Sequence, residues 1–152
     1  MDVSDEMYDT LKQPTYRAGI AMSSAHRQLR KLKQTILEPH GLSMAQWSIL
    51  GIIHDANEQG ITLSEVANQL SATQAFVSSN IKSLEDKQLI NRETDANDQR
   101  VSKVYLQKNV SKTVEEIEAA IRQQLRKSIY SKVSREQLAV FLYLMSIFAE
   151  SD

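Results

Sequence analysis

The stretch from residue 62 to residue 106 constrains this chain most, because its two halves follow different periodicities. Its first half, TLSEVANQLSATQAFVSSNIKSLED, carries apolar residues at spacings of three and four, which predicts two short helices joined by a tight turn. In its second half, strand-like segments at 89–94 and 101–106 flank a polar loop at 95–100. This order predicts a winged helix-turn-helix, a device that places one helix in the DNA major groove and a hairpin beside it.

Longer helices are predicted on both sides of this module. An apolar stripe from Met22 to Ile36 predicts a helix over 15–37, and a stripe from Val110 to Ile129 predicts one over about 110–131. The predicted fold class is mostly α with a small β-hairpin wing. The predicted organisation is a single domain, 1–152, with a winged helix-turn-helix at 43–106 between flanking helices at 15–37 and 110–150.

Four helix starts are predicted from capping boxes, in which a Ser or Thr at the N-cap is followed three residues later by Glu or Gln. The pairs are Ser43 with Gln46, Thr62 with Glu65, Ser71 with Gln74 and Ser134 with Gln137. Each pair directly precedes an apolar stripe, so each predicted helix begins in phase with its buried face.

The flanking helices carry more apolar surface than the winged module can cover. A second copy of the chain is the economical partner, because the end helices of two copies can bury one another. We therefore expect a symmetric homodimer in which 15–37 and 110–150 are the dimerisation helices. Such a dimer would hold two winged modules side by side.

Composition argues against several other functions. The chain has no Cys, which rules out disulfides, thiolate metal sites and cysteine nucleophiles. Its histidines, His26, His40 and His54, are 14 residues apart, so we predict no metal site. Without a Gly-rich phosphate loop or a nucleophile elbow, we predict neither an enzyme nor a cofactor. No apolar run reaches the roughly 18 residues of a membrane span, and no signal peptide is recognisable, so we expect a cytoplasmic protein.

The helix opened at Ser71 offers short polar side chains to DNA, while Val77, Ile81 and Leu84 are predicted to face the core. The predicted DNA contacts on this helix are Thr73, Gln74, Ala75, Ser78, Ser79 and Lys82. Gln pairs well with adenine, Ala can touch a thymine methyl group, and Lys82 suits a phosphate. The alternative is a solvated face, although such faces usually carry more Glu and Lys. Phe76 is expected to pack against the preceding helix, with exposure at the DNA surface as the alternative.

Charged side chains in the hairpin complete the predicted reading head. Arg100, near the loop tip, is expected to enter the minor groove, where the negative potential is enhanced, and Lys103 is expected to contact a phosphate. Arg92, Asp95 and Asp98 are predicted to shape the wing, with Arg92 and Asp98 paired across the strands. An ion pair between Arg100 and a loop carboxylate is the alternative, and it is compatible with DNA contact.

The charge balance leaves a second function open. Residues 62–103 hold five Lys/Arg against six Asp/Glu, and the whole chain has a net charge of -1. DNA binding would therefore depend on where the cations lie rather than on their sum. The alternative is a winged-helix protein–protein interaction module that does not bind DNA.

Four segments resemble the MarR family, the multiple antibiotic resistance regulators: GLSMAQWSIL (41–50), SEVANQL (64–70), VSSNIKSLEDKQLINR (77–92) and DANDQRVSKVYL (95–106). The resemblance extends over about residues 15–150. It implies a homodimeric winged-helix transcriptional regulator that binds a pseudo-palindromic operator. The resemblance favours a repressor over an activator. The recognition-helix role falls on about Thr73–Lys82 and the wing-arginine role on Arg100. Gln88 departs from the family, which usually has Gly there, so we expect the local turn to differ.

The resemblance also implies a small-molecule effector. Many members release DNA when an aromatic acid or a phenol binds near the junction of the dimer helices and the reading head. Here Tyr16, Arg17, His26 and Trp47 are the candidate ligand contacts, since they combine aromatic walls with a partner for a carboxylate. The alternative is that Trp47 belongs to the core and Arg17 is solvated.

Overall fold

The structure is a computed structural model that describes residues 9–94, 96–98 and 101–150. Its helices are α1 (Thr15–Leu37), α2 (Met44–Ala56), α3 (Leu63–Leu70), α4 (Gln74–Asp86), α5 (Val110–Ser128) and α6 (Arg135–Ala149). Its strands are β1 (Ile61–Thr62), β2 (Ile90–Thr94) and β3 (Ser102–Leu106). The predicted fold class, mostly helical with a hairpin wing, is confirmed.

Three of the four predicted capping boxes form with both of their hydrogen bonds. At α2, the Gln46 amide donates to the Ser43 hydroxyl at 3.1 Å, and the Ser43 amide donates to the Gln46 side chain at 3.2 Å. The Thr62–Glu65 box opens α3, and the box starting at Ser134 opens α6. Each box satisfies backbone N–H groups that a helix start leaves without partners, so these three helices begin where the sequence predicts.

The fourth predicted box, Ser71 with Gln74, is wrong. Ser71 ends α3 in the left-handed conformation, with φ 49°. The N-cap of α4 is Thr73, whose hydroxyl accepts from the Phe76 amide at 3.2 Å. The chain needs these two extra residues to reverse between α3 and α4, so a hydroxyl further along reaches the first free amides of α4.

The end of α4 keeps the turn that Gln88 was expected to alter. Gln88 adopts φ 58°, the left-handed conformation that favours glycine. The Leu89 amide donates to the Leu84 carbonyl at 3.0 Å, which closes the helix end. The prediction of a different turn is therefore wrong, because these contacts hold the backbone in place although the residue is not glycine.

The winged module contains a small antiparallel sheet with the strand order β1-β3-β2. β1, which the sequence pattern did not predict, pairs Ile61 with Val104 of β3. β2 also pairs with β3, with Arg92 opposite Val104. Val104 is fully buried and anchors the sheet on the core.

One apolar core connects the winged module with α1 and α5. Its fully buried side chains include Ile49 and Leu50 of α2, Val66 of α3, and Ile81 and Leu84 of α4. The buried side of α5, at Val114, Ile117, Ile121 and Leu125, belongs to the same core. α5 ends at Ser128, and a 3-10 turn at Tyr130–Lys132 replaces the last predicted turn.

α6 stands apart from this core. None of its residues is buried. Seven of its large apolar side chains are exposed: Val140, Phe141, Leu142, Tyr143, Leu144, Ile147 and Phe148. α1 is similar over its first turns, where Tyr16, Ile20 and Met22 are exposed. Among the described helices, none has the length and hydropathy needed to cross a membrane.

Candidate nucleic-acid interface

Helix α4 presents one apolar side to the protein and one short-chained polar side to solvent. Val77, Ile81 and Leu84 are fully buried, as predicted. The side chains predicted to contact DNA from this helix and its N-cap are all exposed: Thr73, Gln74, Ala75, Ser78, Ser79 and Lys82. The structure therefore leaves all six of these side chains accessible to a partner.

The first turn of α4 is held by its own side chains. The Thr73 hydroxyl caps the helix, so Thr73 has a structural role beside any contact with DNA. The Gln74 side-chain amide donates to the Ser64 hydroxyl of α3 at 3.0 Å. This bond bridges the two helices of the motif and leaves the Gln74 oxygen free for a further partner.

The other end of α4 is braced against α2 through Gln46, which is buried with 8% exposure. Its side-chain amide donates to the Ser83 hydroxyl at 3.0 Å. Its side-chain oxygen accepts from the Lys87 ammonium at 2.8 Å, in addition to closing the capping box. Lys87 also donates to the Gly41 carbonyl, so a network of polar groups sets the position of the helix.

The hairpin is tied to α4 by an ion pair that the sequence did not predict. The Arg92 guanidinium of β2 donates to both carboxylate oxygens of Glu85, at 3.3 and 3.0 Å. The predicted partner was Asp98, and that prediction is corrected, because the turn after α4 brings β2 back alongside the last turn of the helix. Both side chains are about one third exposed, so the pair orients more than it stabilises.

The structure describes only part of the wing loop. Asp95 and Arg100, two of the predicted wing residues, lie outside the described residues. On the described side of the loop, the Val101 amide donates to the Asp98 carbonyl at 3.0 Å. Lys103 is exposed on β3, and its ammonium donates to the Gln59 carbonyl at 3.2 Å. That bond holds Lys103 toward β1 and the start of α3.

Glu65 concentrates negative charge at the start of α3. Hydrogen bonds from the Thr62 amide and then from the Thr62 hydroxyl lower the pKa of the Glu65 carboxyl, and the positive charge of Lys103 lowers it further. The carboxylate is thus held ionised at the positive end of the helix dipole. It also offsets the charge of Lys103 on this side of the hairpin.

Phe76 differs from its expected placement. The sequence favoured packing against the preceding helix, but the side chain is 47% exposed beside the short side chains of α4. Its position is 100° of helical rotation from buried Val77, at the edge of the apolar face. The spacing of apolar residues along α4 therefore could not show whether Phe76 lies on its buried side or its exposed side.

The four candidate ligand residues are not gathered in one pocket. Tyr16 lines a shallow groove of about 460 Å³ on α1 with Gly19, Ile20, Ser23 and Arg27. Arg17 and His26 are exposed on the same helix, and Trp47 is partly buried against the core. The alternative reading of Trp47 as a core residue is the one the structure favours.

A larger groove of about 650 Å³ lies between α1 and the end of α5. Leu32, Ile36 and Ile129 give it apolar walls, and Lys31 and Lys132 contribute cations. None of the four predicted ligand residues lines it.

Histidine chemistry adds no metal centre to the described part of the chain. Among those residues, no three His, Asp or Glu side chains lie close enough to hold an ion together. His54 of α2 instead sits with Nε2 3.6 Å from a Glu115 carboxylate oxygen of α5. This contact spans the boundary between the winged module and a flanking helix.

Comparisons with known proteins give a match to one family model over part of the chain and a shared fold over most of it. The sequence model of the MarR family matches residues 42–102. S. aureus MepR, solved as a DNA complex, is 24% identical, with a TM-score of 0.74 over 90% of this chain and 98% of that chain. A cysteine-to-serine mutant of E. coli MarR with operator DNA is 21% identical, with a TM-score of 0.76 over 87% and 93% of the two chains.

A third similar structure concerns regulation by a small molecule. Bordetella bronchiseptica BpsR, from a study of how 6-hydroxynicotinic acid regulates its DNA binding, is 21% identical and has a TM-score of 0.75. The match covers 88% of this chain and 99% of that chain. No curated protein matches this chain in sequence.

Proposed function

We propose that this chain is a sequence-specific DNA-binding transcriptional regulator of the MarR family that represses its target genes; the match of residues 42–102 to the family's sequence model supports this. The observation that carries the proposal is the exposed face of α4, which is lined with Ala, Ser and Lys side chains. Gln46 of α2 holds this helix in position through its hydrogen bond to Ser83. We place the protein among cytoplasmic regulators rather than enzymes.

Helix α4 is the proposed major-groove reader. Ala75, Ser78 and Ser79 are short enough to let the helix approach base edges, and Gln74 keeps an acceptor free for a base or for water. Lys82, one turn beyond Ser78, suits a backbone phosphate. Thr73 contributes its hydroxyl at the phosphate backbone while it caps the helix.

The hairpin is the proposed second contact. Arg100 would enter the minor groove beside each half-site, with Asp95 and Asp98 shaping the loop around it. Lys103 would contact a phosphate from the adjacent strand. The Arg92–Glu85 pair supports this geometry, because it links the first strand of the hairpin to the helix that reads the major groove.

A second copy of the chain is the proposed partner of the exposed apolar residues of α6. Seven large apolar side chains exposed on one helix are far more than a soluble monomer normally leaves uncovered. Pairing of the flanking helices, over 15–37 and 110–150, would give a two-fold symmetric dimer. Its two reading heads would then match half-sites about 10 bp apart, one turn of B-form DNA.

Release of DNA by a small aromatic or phenolic ligand completes the proposal. The resemblance to regulators of this kind supports it. Tyr16, Arg17 and His26, which are exposed on α1, remain the proposed contacts, whereas Trp47 packs against the core. Such a ligand would act only through unequal affinity for the two spacings of the reading heads.

Selection of bound sequences from a pool of random duplexes tests the function. A two-fold symmetric motif is the expected result, and its binding constant should fall steeply as salt rises, since several phosphate contacts release counterions. A protein–protein interaction module would enrich no motif and show almost no salt dependence. That outcome would replace the proposal with the alternative.

The wing is tested separately with Arg100→Ala and a matched control, Lys127→Ala, which removes one cation from α5. Arg100→Ala should weaken binding to the selected operator while the dimer stays intact in sedimentation. Lys127→Ala should bind as the wild type does. Equal operator affinity for all three proteins would refute the wing assignment.

A further inference from the structure

The ring of Phe76 is the largest apolar group on the surface that α4 offers to DNA. It is 47% exposed, and it is the third residue of the helix. Recognition helices generally contact base edges through their N-terminal residues. An aromatic side chain here stands where the helix first meets the bases.

The backbone that carries this ring is fixed. The Phe76 amide donates to the Thr73 hydroxyl at 3.2 Å, and the Phe76 carbonyl accepts from the Asn80 side chain at 2.9 Å. In a helix, an aromatic side chain is further limited to the two χ1 values that avoid the preceding turn. The ring therefore has few orientations, which lowers the entropy lost when it is immobilised against a partner.

The neighbours of Phe76 make it protrude. Ser79, three residues further along on the same side of the helix, is exposed and carries two side-chain heavy atoms, and the preceding residue, Ala75, is exposed and carries one. A surface that approaches this side of the helix would meet the ring before it meets the shorter side chains. Among these exposed residues, the ring offers the most apolar area.

A phenyl ring has neither a donor nor an acceptor for a phosphate or for the polar edge of a base. The apolar group that the major groove presents is the 5-methyl group of thymine, and Phe is one of the side chains that contact it. We propose that Phe76 is a specificity-determining residue that selects thymine at one position of each half-site by packing on this methyl group. The proposal rests on the proposed function, since it assumes that α4 enters the major groove.

Deoxyuridine provides the test, because it pairs as thymine does but lacks the methyl group. Each thymine of the selected operator is replaced in turn by deoxyuridine, in both half-sites together, and binding is measured at one fixed salt concentration. Burial of one methyl group corresponds to roughly fourfold in affinity, so a symmetric pair should give roughly 15-fold. The wild type should show this loss at one thymine position per half-site.

Three variants identify the source of the discrimination. Phe76→Ala should bind the thymine and deoxyuridine duplexes equally, whereas Phe76→Leu, which keeps an apolar side chain, should retain part of the preference. Lys82→Ala should weaken binding to both duplexes by the same factor, so its preference stays at the wild-type value. Thermal unfolding of each variant verifies that it is folded.

The outcomes separate this inference from the function on which it rests. A wild-type protein that binds its operator but shows no thymine position sensitive to deoxyuridine overturns the role of Phe76 and leaves the regulator standing. Retention of the preference in folded Phe76→Ala does the same. If the wild type enriches no DNA sequence, the proposed function itself fails, and this inference fails with it.

Discussion

The side-chain amide of Gln46 lies 3.0 Å from the hydroxyl of Ser83, and this hydrogen bond joins the start of α2 to the last turns of α4. Among the residues that the structure describes, Gln46 is the one polar residue that is buried, and its side-chain oxygen accepts from both Ser43 and Lys87. All the polar atoms of this amide are thus engaged at the point where α4 is set in place.

Replacement of Gln46 by Met should destabilise the protein by about 2 kcal/mol, because the change removes three hydrogen bonds and leaves the Lys87 ammonium one partner short. Urea unfolding followed by circular dichroism measures the change. The control is Ser48→Ala on the same helix, whose hydroxyl donates to the Met44 carbonyl within that helix. It should change stability by less than about 0.5 kcal/mol, and equal losses in the two variants would contradict the role of Gln46.

Gly60 should tolerate no side chain. A Cβ at this position would overlap the ring of Tyr105, and φ is +64°. Gly60→Ala is therefore expected to cost about 2–3 kcal/mol, from steric overlap together with backbone strain. Thermal unfolding checks this. The double variant Gly60→Ala/Tyr105→Ala should lose less than the sum of the two single losses, since the ring is then absent.

Gln88 offers a stabilising substitution. Its φ of 58° costs an L-residue energy that glycine does not pay, so Gln88→Gly should raise the free energy of unfolding by about 0.5–1 kcal/mol. The same chemical change at Gln123, inside α5, should lower stability by about 1 kcal/mol, because glycine is unfavourable within a helix. Denaturant midpoints of the two variants should therefore move in opposite directions.

Glu65 should make the protein sensitive to acid. Hydrogen bonds from Thr62 and the charge of Lys103 lower the pKa of this carboxyl in the folded state below its unfolded value. Glu65 therefore contributes stability that is fully present above the unfolded pKa and is lost as pH falls through the folded pKa. Glu65→Gln should lose less stability than the wild type when denaturant midpoints are compared between about pH 7 and about pH 3. Parallel pH curves would contradict this.

The helices were predictable because local chemistry decides them. The boxes at Ser43, Thr62 and Ser134 each combine a hydroxyl, a Glu or Gln and an apolar stripe, and all three open the helices they predict. Ser71 carries the same signature but ends the preceding helix. The geometry of the turn between α3 and α4 makes Thr73, and not Ser71, the N-cap of α4. The spacing of residues in the sequence does not contain that geometry.

Contacts between distant elements were harder to predict. β1 has two residues, too few for a period of two to be recognised, and it exists because it pairs with β3. Arg92 forms an ion pair with Glu85 rather than with the expected Asp98, because the turn after α4 determines which carboxylate lies near the guanidinium. The exposed face of α4 was predicted from residue type, but the side on which Phe76 falls needed the orientation of the helix.

The uncovered apolar side of α6 has a consequence for dilute solutions. If a second copy covers it, then the ordered form of this segment is governed by mass action, and unfolding temperature should rise with protein concentration. A freshly translated chain would have to meet another before α6 reaches its stable arrangement. A low protein concentration would then reduce the amount of DNA-binding dimer in two ways. There would be fewer chains, and a smaller fraction of them would be paired.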